Sequence, residues 1–340
     1  MNLIARTLTV RTSPHIKAEV QTNEIMLNVV FALIPVVLFC CYAFGLPALL
    51  LLTVTTVTCV CCEHILCKLA GKESSVTDWS AVITGLLLGL CLPPNLPLWM
   101  ACLGGIVSIA LGKFIFGGLG CNVFNPALVG RAFLQAAFPV ALTTWHPAFA
   151  IDRFSNLLSS TITPPLMKPE YDAISGATPL GAMKFSLQIT PFSDLVVGNI
   201  PGSAGETCGL LILLGGLYLA CRKMINWRIP IAIFLSIIVI SGISHLSNPD
   251  QYPPPLFSLF SGGLMLGAVF MATDMVASPL SPKGVWIYGI IIGVVTMVIR
   301  LWGGLPEGVM YSILFANALS PLIERFTQPR VYGTRQSNRL

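Results

Sequence analysis

Ten apolar segments recur along the 340-residue chain, and most of them are 15 to 24 residues long. The hydrocarbon core of a bilayer is about 30 Å thick, so a helix that crosses it needs about 20 apolar residues. Charged residues make up only 10% of the chain, whereas roughly a quarter is usual in soluble globular domains. The pattern predicts an all-α polytopic membrane protein. It excludes a soluble enzyme, a disordered protein and a nucleic-acid binder.

The predicted spans form two groups of five around one long polar interval. They cover residues 25–43, 47–70, 81–92, 98–116 and 124–142 before it, and 207–221, 229–245, 256–273, 285–301 and 309–323 after it. We therefore expect an N-terminal segment (1–24), a first five-helix repeat (25–142), a connecting loop (143–206), a second repeat (207–326) and a tail (327–340). The first 24 residues lack the apolar region and cleavage site of a secretory signal peptide, so we expect them to be retained.

Lysine and arginine are distributed unevenly between the two sides of the predicted membrane. Fourteen of the 19 fall on the side of the N-terminus, four fall on the other side, and Arg131 lies within a span. Cytoplasmic segments carry the excess of these residues, so both termini are expected in the cytoplasm and the loop 143–206 on the outer, periplasmic side. An odd number of spans would destroy this asymmetry.

Three short motifs of the first half return in the second half. GLLLG at 85–89 matches GLMLG at 263–267, GGL at 117–119 matches GGL at 303–305, and FNPAL at 124–128 matches FANAL at 315–319. Each half has five spans, so the second repeat must be inverted relative to the first, and such repeats place function near the midplane. The third and eighth spans are short and glycine-rich. They are interpreted as broken half-helices around a shared site, while the alternative is that these glycines only permit close packing.

Ionisable residues near membrane spans are candidates for function, because burying one costs about 3 kcal/mol. Glu63, His64, Arg131 and Asp274 meet this description. Asp274 follows the GLMLG motif and is a candidate for an ion path; alternatively, it pairs with a base or caps the next turn. Glu206, at the start of the sixth span, is interpreted as complementing the dipole of that helix.

The eleven cysteines predict neither a disulfide framework nor a metal site. Most lie inside apolar runs, where thiols behave as small buried hydrophobic groups. Cys59 and Cys62 would share one helix face, but Cys61 would point away from it, so iron–sulfur ligation is not expected. The sequence has no P-loop, dinucleotide fingerprint or zinc signature, and nucleotide binding is not expected either.

The long loop contains the motif DAISGATPL at 172–180. Small residues before Thr178 let the backbone approach a bulky group. Pro179 restricts Thr178 to an extended or turn conformation, which presents its hydroxyl. Taken alone, the motif is typical of an ordinary turn.

From end to end, the chain resembles the NqrB/RnfD family, whose members are membrane components of ion-translocating oxidoreductases. The shared motifs are SPH at 13–15, IM at 25–26, TGLLL at 84–88, GGLG at 117–120, FNPA at 124–127, DAISGAT at 172–178, GET at 205–207, ATD at 272–274, SPKG at 281–284 and RVYG at 330–333. The family includes the RnfD protein of the bacterial Rnf complex and, more distantly, the NqrB protein of the sodium-translocating NADH:quinone oxidoreductase. The short segment before the first span favours the Rnf type.

The resemblance implies a cofactor and partners. In the family, the threonine of the SGAT motif carries flavin mononucleotide (FMN) through a phosphoester, so covalent FMN is expected on Thr178, with Ser175, Gly176 and Ala177 beside it. A second, non-covalent riboflavin is expected near the cytoplasmic side, without assigned ligands. Other subunits of the Rnf complex and membrane lipid are the expected partners, and electrons must arrive from those subunits.

These expectations describe an electron-transfer subunit of the bacterial inner membrane. It is part of a translocase-type oxidoreductase that couples ferredoxin and NAD redox chemistry to sodium or proton translocation, and it has no complete active site alone. Two alternatives stay open. One is a solute channel or secondary transporter of the urea-channel type, which shares inverted five-helix repeats. The other is the quinone-reducing homologue. The SGAT motif argues against a channel, which has no reason to keep it.

Overall fold

The computed structural model describes residues 21–72, 75–151, 153–155, 159–165, 167, 176–206 and 208–329. These residues contain α-helices and no β-strand. The helices are α1 (Thr22–Phe44), α2 (Leu46–Leu69), α3 (Ser80–Cys91), α4 (Leu98–Ala110), α5 (Pro126–Ala137), α6 (Pro139–Thr143), α7 (Pro179–Ser186), α8 (Phe192–Val197), α9 (Gly209–Cys221), α10 (Arg228–Ser247), α11 (Pro255–Phe260), α12 (Leu264–Leu266), α13 (Pro282–Trp302) and α14 (Val309–Thr327). Short 3₁₀ turns occupy Val76–Asp78 and Phe114–Phe116, and a π-helical turn occupies Gly267–Met271.

Several helices are long and apolar enough to cross a membrane. In the part of the chain that the structure describes, five segments qualify by length and composition: Thr22–Phe44, Leu46–Leu69, Leu98–Phe116, Arg228–Ser247 and Pro282–Trp302. Shorter apolar helices occupy Ser80–Cys91 and Gly209–Cys221. Large apolar side chains such as Leu38 and Leu235 are exposed on the outside of the bundle, as expected of surfaces that contact lipid. The prediction of an all-helical multi-pass membrane protein is confirmed.

Each of the ten predicted apolar segments contains helix among its described residues, with local differences. The fifth divides at Pro139, which begins α6, because proline lacks the N–H needed to continue α5. The tenth continues beyond its predicted end, to Thr327. The division into ten crossings and five chain regions stays a prediction.

The eighth predicted span is the most interrupted. It consists of α11, α12 and the π-helical turn, with a break at 261–263. Gly262 has a φ of +70°, and a Cβ there would lie 2.6 Å from Leu180 of the loop helix α7, so a larger residue would be strained as well as crowded. The break therefore coincides with a close approach of the long loop.

The GLLLG and GLMLG motifs are both sites of close helix contact. A Cβ at Gly85 would lie 2.5 Å from the Cα of Thr56 in α2, and one at Gly267 would lie 2.5 Å from Val309 of α14. The glycines thus serve packing, as the simpler interpretation of these motifs holds. Packing alone does not account for the interrupted backbone of the second motif.

The described part of the long loop packs on the second half of the chain. Met183, Leu195, Ile200 and Phe257 form a small apolar core that joins α7 and α8 to α11. This core holds the residues after the SGAT motif in place.

Candidate cofactor-binding site

A cavity of about 600 Å³, here called the outer cavity, opens beside α7. Its lining combines Arg131 of α5, Trp145 and Thr178 of the long loop, Glu206 before α9, and Glu307 between α13 and α14. Pockets for drug-sized ligands and cofactors typically measure about 300–1,000 Å³. The outer cavity is therefore large enough for a planar ring system the size of a flavin.

Thr178 is half-buried at this cavity, immediately before α7. Its backbone is extended, with φ −63° and ψ 152°, as expected before a proline. Its Oγ1 accepts a hydrogen bond from the N–H of Gly181 at 3.1 Å, so Thr178 is the N-cap of α7. Pro179 has no N–H, and the N–H groups of Gly181 and Ala182 bond to Thr178, so the Leu180 N–H and the helix dipole are what favour a phosphate at this hydroxyl.

Gly176, two residues before Thr178, lies close to the backbone of Trp145 and to Pro201. The N–H of Gly176 donates to the carbonyl of Trp145 at 3.1 Å, and a Cβ at Gly176 would lie 2.8 Å from Pro201. Ala177 is exposed at the cavity. Ser175 lies outside the described residues, so its place relative to Thr178 stays a prediction.

Lys184 anchors α7 to the C-terminal end of α13. Its ammonium donates to the backbone carbonyls of Arg300 at 3.1 Å and Leu305 at 2.8 Å, with further contacts to those of Ile299 and Gly303. A cation at a helix C-terminus is stabilised by the helix dipole. Partial burial lowers the pKa of Lys184, and the carbonyls hold its charged form in place.

Replacing Lys184 with methionine should loosen α7 from α13. Hydrogen bonds to a charged group contribute about 1.5–3 kcal/mol, so we expect a lower melting temperature and faster amide exchange in α7. Hydrogen–deuterium exchange of the purified chain measures this, with the exposed Lys283→Met as the matched control. Unchanged exchange in α7 would show that the anchor does not hold it.

The floor of the outer cavity is a buried polar cluster. Arg131 forms an ion pair with Glu307 at 2.6 Å, and the other oxygen of Glu307 accepts from the N–H of Gly263 at 2.8 Å. Arg300 donates to the carbonyls of Ser258 and Ser261, at 2.6 and 3.0 Å. Burial acts to raise the pKa of Glu307, but Arg131 and the Gly263 N–H hold it below its usual range. Glu307 is thus an ionised carboxylate that is held by Arg131 and the Gly263 N–H.

Glu206 belongs to the same cluster but lacks a basic partner. The Ser203 hydroxyl donates to its Oε1 at 2.6 Å, and among the described residues its carboxylate makes no ion pair. Burial and the nearby carboxylate of Glu307 raise the pKa of Glu206 to about 7. Its side chain lines the outer cavity, a position that the helix-dipole interpretation did not predict.

A second, smaller cavity of about 90 Å³, here called the inner cavity, lies at the N-terminal end of α3, where Ser80 lines it. Asp274, Asn122 and Asn125 contribute to its lining. One oxygen of Asp274 accepts from the N–H of Val276 at 3.1 Å, and the other lies 3.4 Å from the amide nitrogen of Asn122. Asp274 therefore caps the next turn, as the alternative interpretation held. A role in ion movement stays a prediction.

Glu63, another sequence candidate, is buried in an ion pair with Lys113 at 2.6 Å. Lys113 also contacts the hydroxyl of Ser80, at the start of α3. The neighbouring residue His64 is exposed. Lys113 has no local signal in the sequence, because its partner Glu63 lies 50 residues away in the chain.

The cysteines of α2 make separate contacts. Cys59 is buried and lies 3.7 Å from the carbonyl oxygen of Gly105, whereas Cys61 is exposed. Cys67 lies 3.7 Å from the hydroxyl of Ser75. Within the described ranges, no three His, Cys, Asp or Glu side chains are grouped so that they could hold a metal ion.

Comparison with known proteins decides the family. The model of the NQR2, RnfD, RnfE family matches residues 9–333. The chain belongs to this family. It is 43% identical over 330 residues to the D subunit of the Na⁺-translocating ferredoxin:NAD⁺ oxidoreductase complex of Acetobacterium woodii, covering 96% of this chain and 95% of that one.

Other members of the NQR2, RnfD, RnfE family are similar over nearly their full length. The D subunit of the proton-translocating ferredoxin:NAD⁺ oxidoreductase complex of Clostridium ljungdahlii is 40% identical over 96% of this chain and 97% of its own. The D subunit of the ion-translocating oxidoreductase complex of Yersinia enterocolitica is 36% identical over 97% and 99%. Two relatives of comparable identity are thus named for different ions, so similarity does not identify the ion.

Proposed function

We propose that this chain is a membrane electron-transfer subunit of a multi-subunit, Rnf-type oxidoreductase. The complex transfers electrons between ferredoxin and NAD and couples them to translocation of sodium ions or protons. The observation that carries this proposal is the placement of the SGAT threonine, in a member of this family, at a cavity of cofactor size. The other subunits of the complex are its partners, and they supply the nucleotide and ferredoxin sites.

FMN joined to the Thr178 hydroxyl through its phosphate fits the outer cavity. The positive end of the α7 dipole suits the phosphate, and Trp145, Phe185 and Tyr311 provide aromatic surface for the ring. The flavin supplies the electron chemistry when it is bound, while the protein attaches and orients it. A second, non-covalent riboflavin is assigned to the predicted cytoplasmic side. The inner cavity is on the side that the predicted topology assigns to the cytoplasm. At about 90 Å³ it is too small for a flavin unless neighbouring side chains move.

We also propose ten crossings in two inverted five-helix repeats, in a bacterial inner membrane with both termini in the cytoplasm. The two cavities support this arrangement. α3 begins at the inner cavity, at Ser80, and its end meets the loop before α9. In the eighth segment, the part that follows the break starts at Gly262, on the outer cavity, and reaches the inner cavity at Asp274. The matched segments therefore run in opposite directions, as inversion requires.

Membranes from cells that lack this chain test the function. Reduction of NAD⁺ by reduced ferredoxin should be lost and should return when the chain is restored.

The rival channel function is tested separately, in liposomes that contain the purified chain. Rapid permeation of urea or another small solute would favour the channel and contradict the proposed carrier.

Replacing Asp274 with asparagine should lower ion transport and leave flavin attachment intact. The change removes a charge from the inner cavity but keeps an oxygen that can accept from the Val276 N–H. Ion uptake by membrane vesicles during electron transfer is the measurement. Glu324→Gln, which changes another hydrogen-bonded carboxylate, is the control. Unchanged uptake in the Asp274 variant would remove this residue from the ion path.

A further inference from the structure

Glu206 differs from the other ionisable groups at the outer cavity. Arg131 and Glu307 form an ion pair, and Arg300 is bound by two carbonyls. Glu206 is only 7% exposed and faces the same cavity, yet only Ser203, through its hydroxyl and its backbone N–H, donates to its carboxylate among the contacts described. A buried carboxylate that lacks a cationic partner takes up a proton more readily than an exposed one.

The surroundings explain why Arg131 does not serve both carboxylates. Glu307 binds Arg131 and the N–H of Gly263 together, so its negative charge is fixed between them. A Cβ at Gly263 would lie 2.8 Å from an oxygen of Glu307 and 3.7 Å from one of Glu206, which places the two carboxylates on the same side of the broken helix. A second fixed negative charge there is unfavourable. The groups that face Glu206 are Arg131 of α5, Arg300 of α13, Glu307 after α13, Cys91 of α3 and Ser203 of its own segment.

We propose that Glu206 holds a proton on the floor of the outer cavity and exchanges it with the flavin bound at Thr178. This inference rests on the proposed function. Glu206 releases its proton when an electron reaches the flavin from a one-electron carrier elsewhere in the complex. The O–H bond of the carboxyl group breaks and an N–H bond on the reduced ring forms. When the electron leaves to the next carrier, the N–H bond breaks and the proton returns to the carboxylate.

Infrared spectroscopy of the full-length chain tests whether Glu206 carries the proton. The absorption of the protonated carboxyl group, followed from about pH 5 to about pH 9, should disappear with a midpoint near neutral pH, and this transition should be absent in Glu206→Gln. Ser203→Ala removes a hydrogen bond that favours the carboxylate, so its midpoint should move to higher pH. Glu324→Gln should leave the transition unchanged. The same neutral transition in Glu206→Gln, or an unmoved midpoint in Ser203→Ala, overturns the assignment.

Redox titration of the flavin-loaded chain tests the exchange. The plot of flavin midpoint potential against pH should change slope near neutral pH in the unchanged chain, and this change should be absent in Glu206→Gln with equal flavin attachment. The same slopes in both proteins overturn the exchange, even if Glu206 titrates. A chain that carries no flavin refutes the proposed cofactor and the exchange together, while the infrared transition still reports whether Glu206 holds a proton.

Discussion

Replacing Thr178 with valine should remove all covalently bound flavin from the chain. Valine has nearly the shape of threonine but lacks the oxygen through which the phosphate would be attached. The purified protein, denatured and separated on a gel, should show a fluorescent band under ultraviolet light that disappears in the variant. The host must contain the flavin transferase, because attachment requires a separate enzyme.

Thr144 provides a matched control within the same cavity. Its hydroxyl donates to the carbonyl of Val140, so Thr144→Val removes an outer-cavity threonine without touching the SGAT motif. We expect full fluorescence in this control. A fluorescent band in Thr178→Val would place the attachment elsewhere. A dark band in the unchanged chain, from a host with the transferase, would contradict the proposed redox role.

Replacing Glu307 with leucine should destabilise the chain by about 3–5 kcal/mol, because it leaves the buried guanidinium of Arg131 without its partner. The ion pair joins α5 of the first half to the segment between α13 and α14. The effect is measured as the melting temperature in detergent, followed by tryptophan fluorescence or by the fluorescence of a thiol-reactive dye. Breaking the pair should also open the floor of the outer cavity.

The double variant Arg131→Met, Glu307→Leu separates the loss of the pair from the cost of a stranded charge. Replacing both partners of a buried pair by apolar groups is often neutral or stabilising, so we expect the double variant to recover much of the lost stability. Glu324→Gln serves as a control, since Glu324 accepts from a backbone N–H outside this cluster. Equal melting temperatures for the Glu307 single variant and the unchanged chain would refute a structural role for the pair.

The helices were predictable because membrane crossing requires long apolar segments, and those segments are visible in the sequence. The extended backbone of Thr178 was predictable for a local reason, since Pro179 excludes the helical conformation for the residue before it. The interrupted eighth segment was indicated by its glycines. Its π-helical turn had no local signal and packs against α9, α10 and α14, which are distant in the sequence.

The cavity floor could not be predicted in the same way. Arg131 and Glu307 are 176 residues apart, and the residues around each of them give no indication of its partner. Glu206 was interpreted from its neighbours in the chain, whereas its surroundings come from distant segments. Lys184 resembled an ordinary loop lysine, because its acceptors are backbone carbonyls, which every residue carries.

The anchoring of α7 by Lys184 has a consequence for biogenesis. Chains are synthesised from the N-terminus, so the loop with Thr178 is made before the carbonyls of Arg300 and Leu305 exist. During that interval α7 can pack against α8 and α11 but lacks its anchor on α13, so we expect the threonine hydroxyl to be more accessible to the attaching enzyme. Insertion of α13 then seats the loop and narrows access to the hydroxyl. We therefore expect flavin attachment at Thr178 to be most efficient before α13 is inserted.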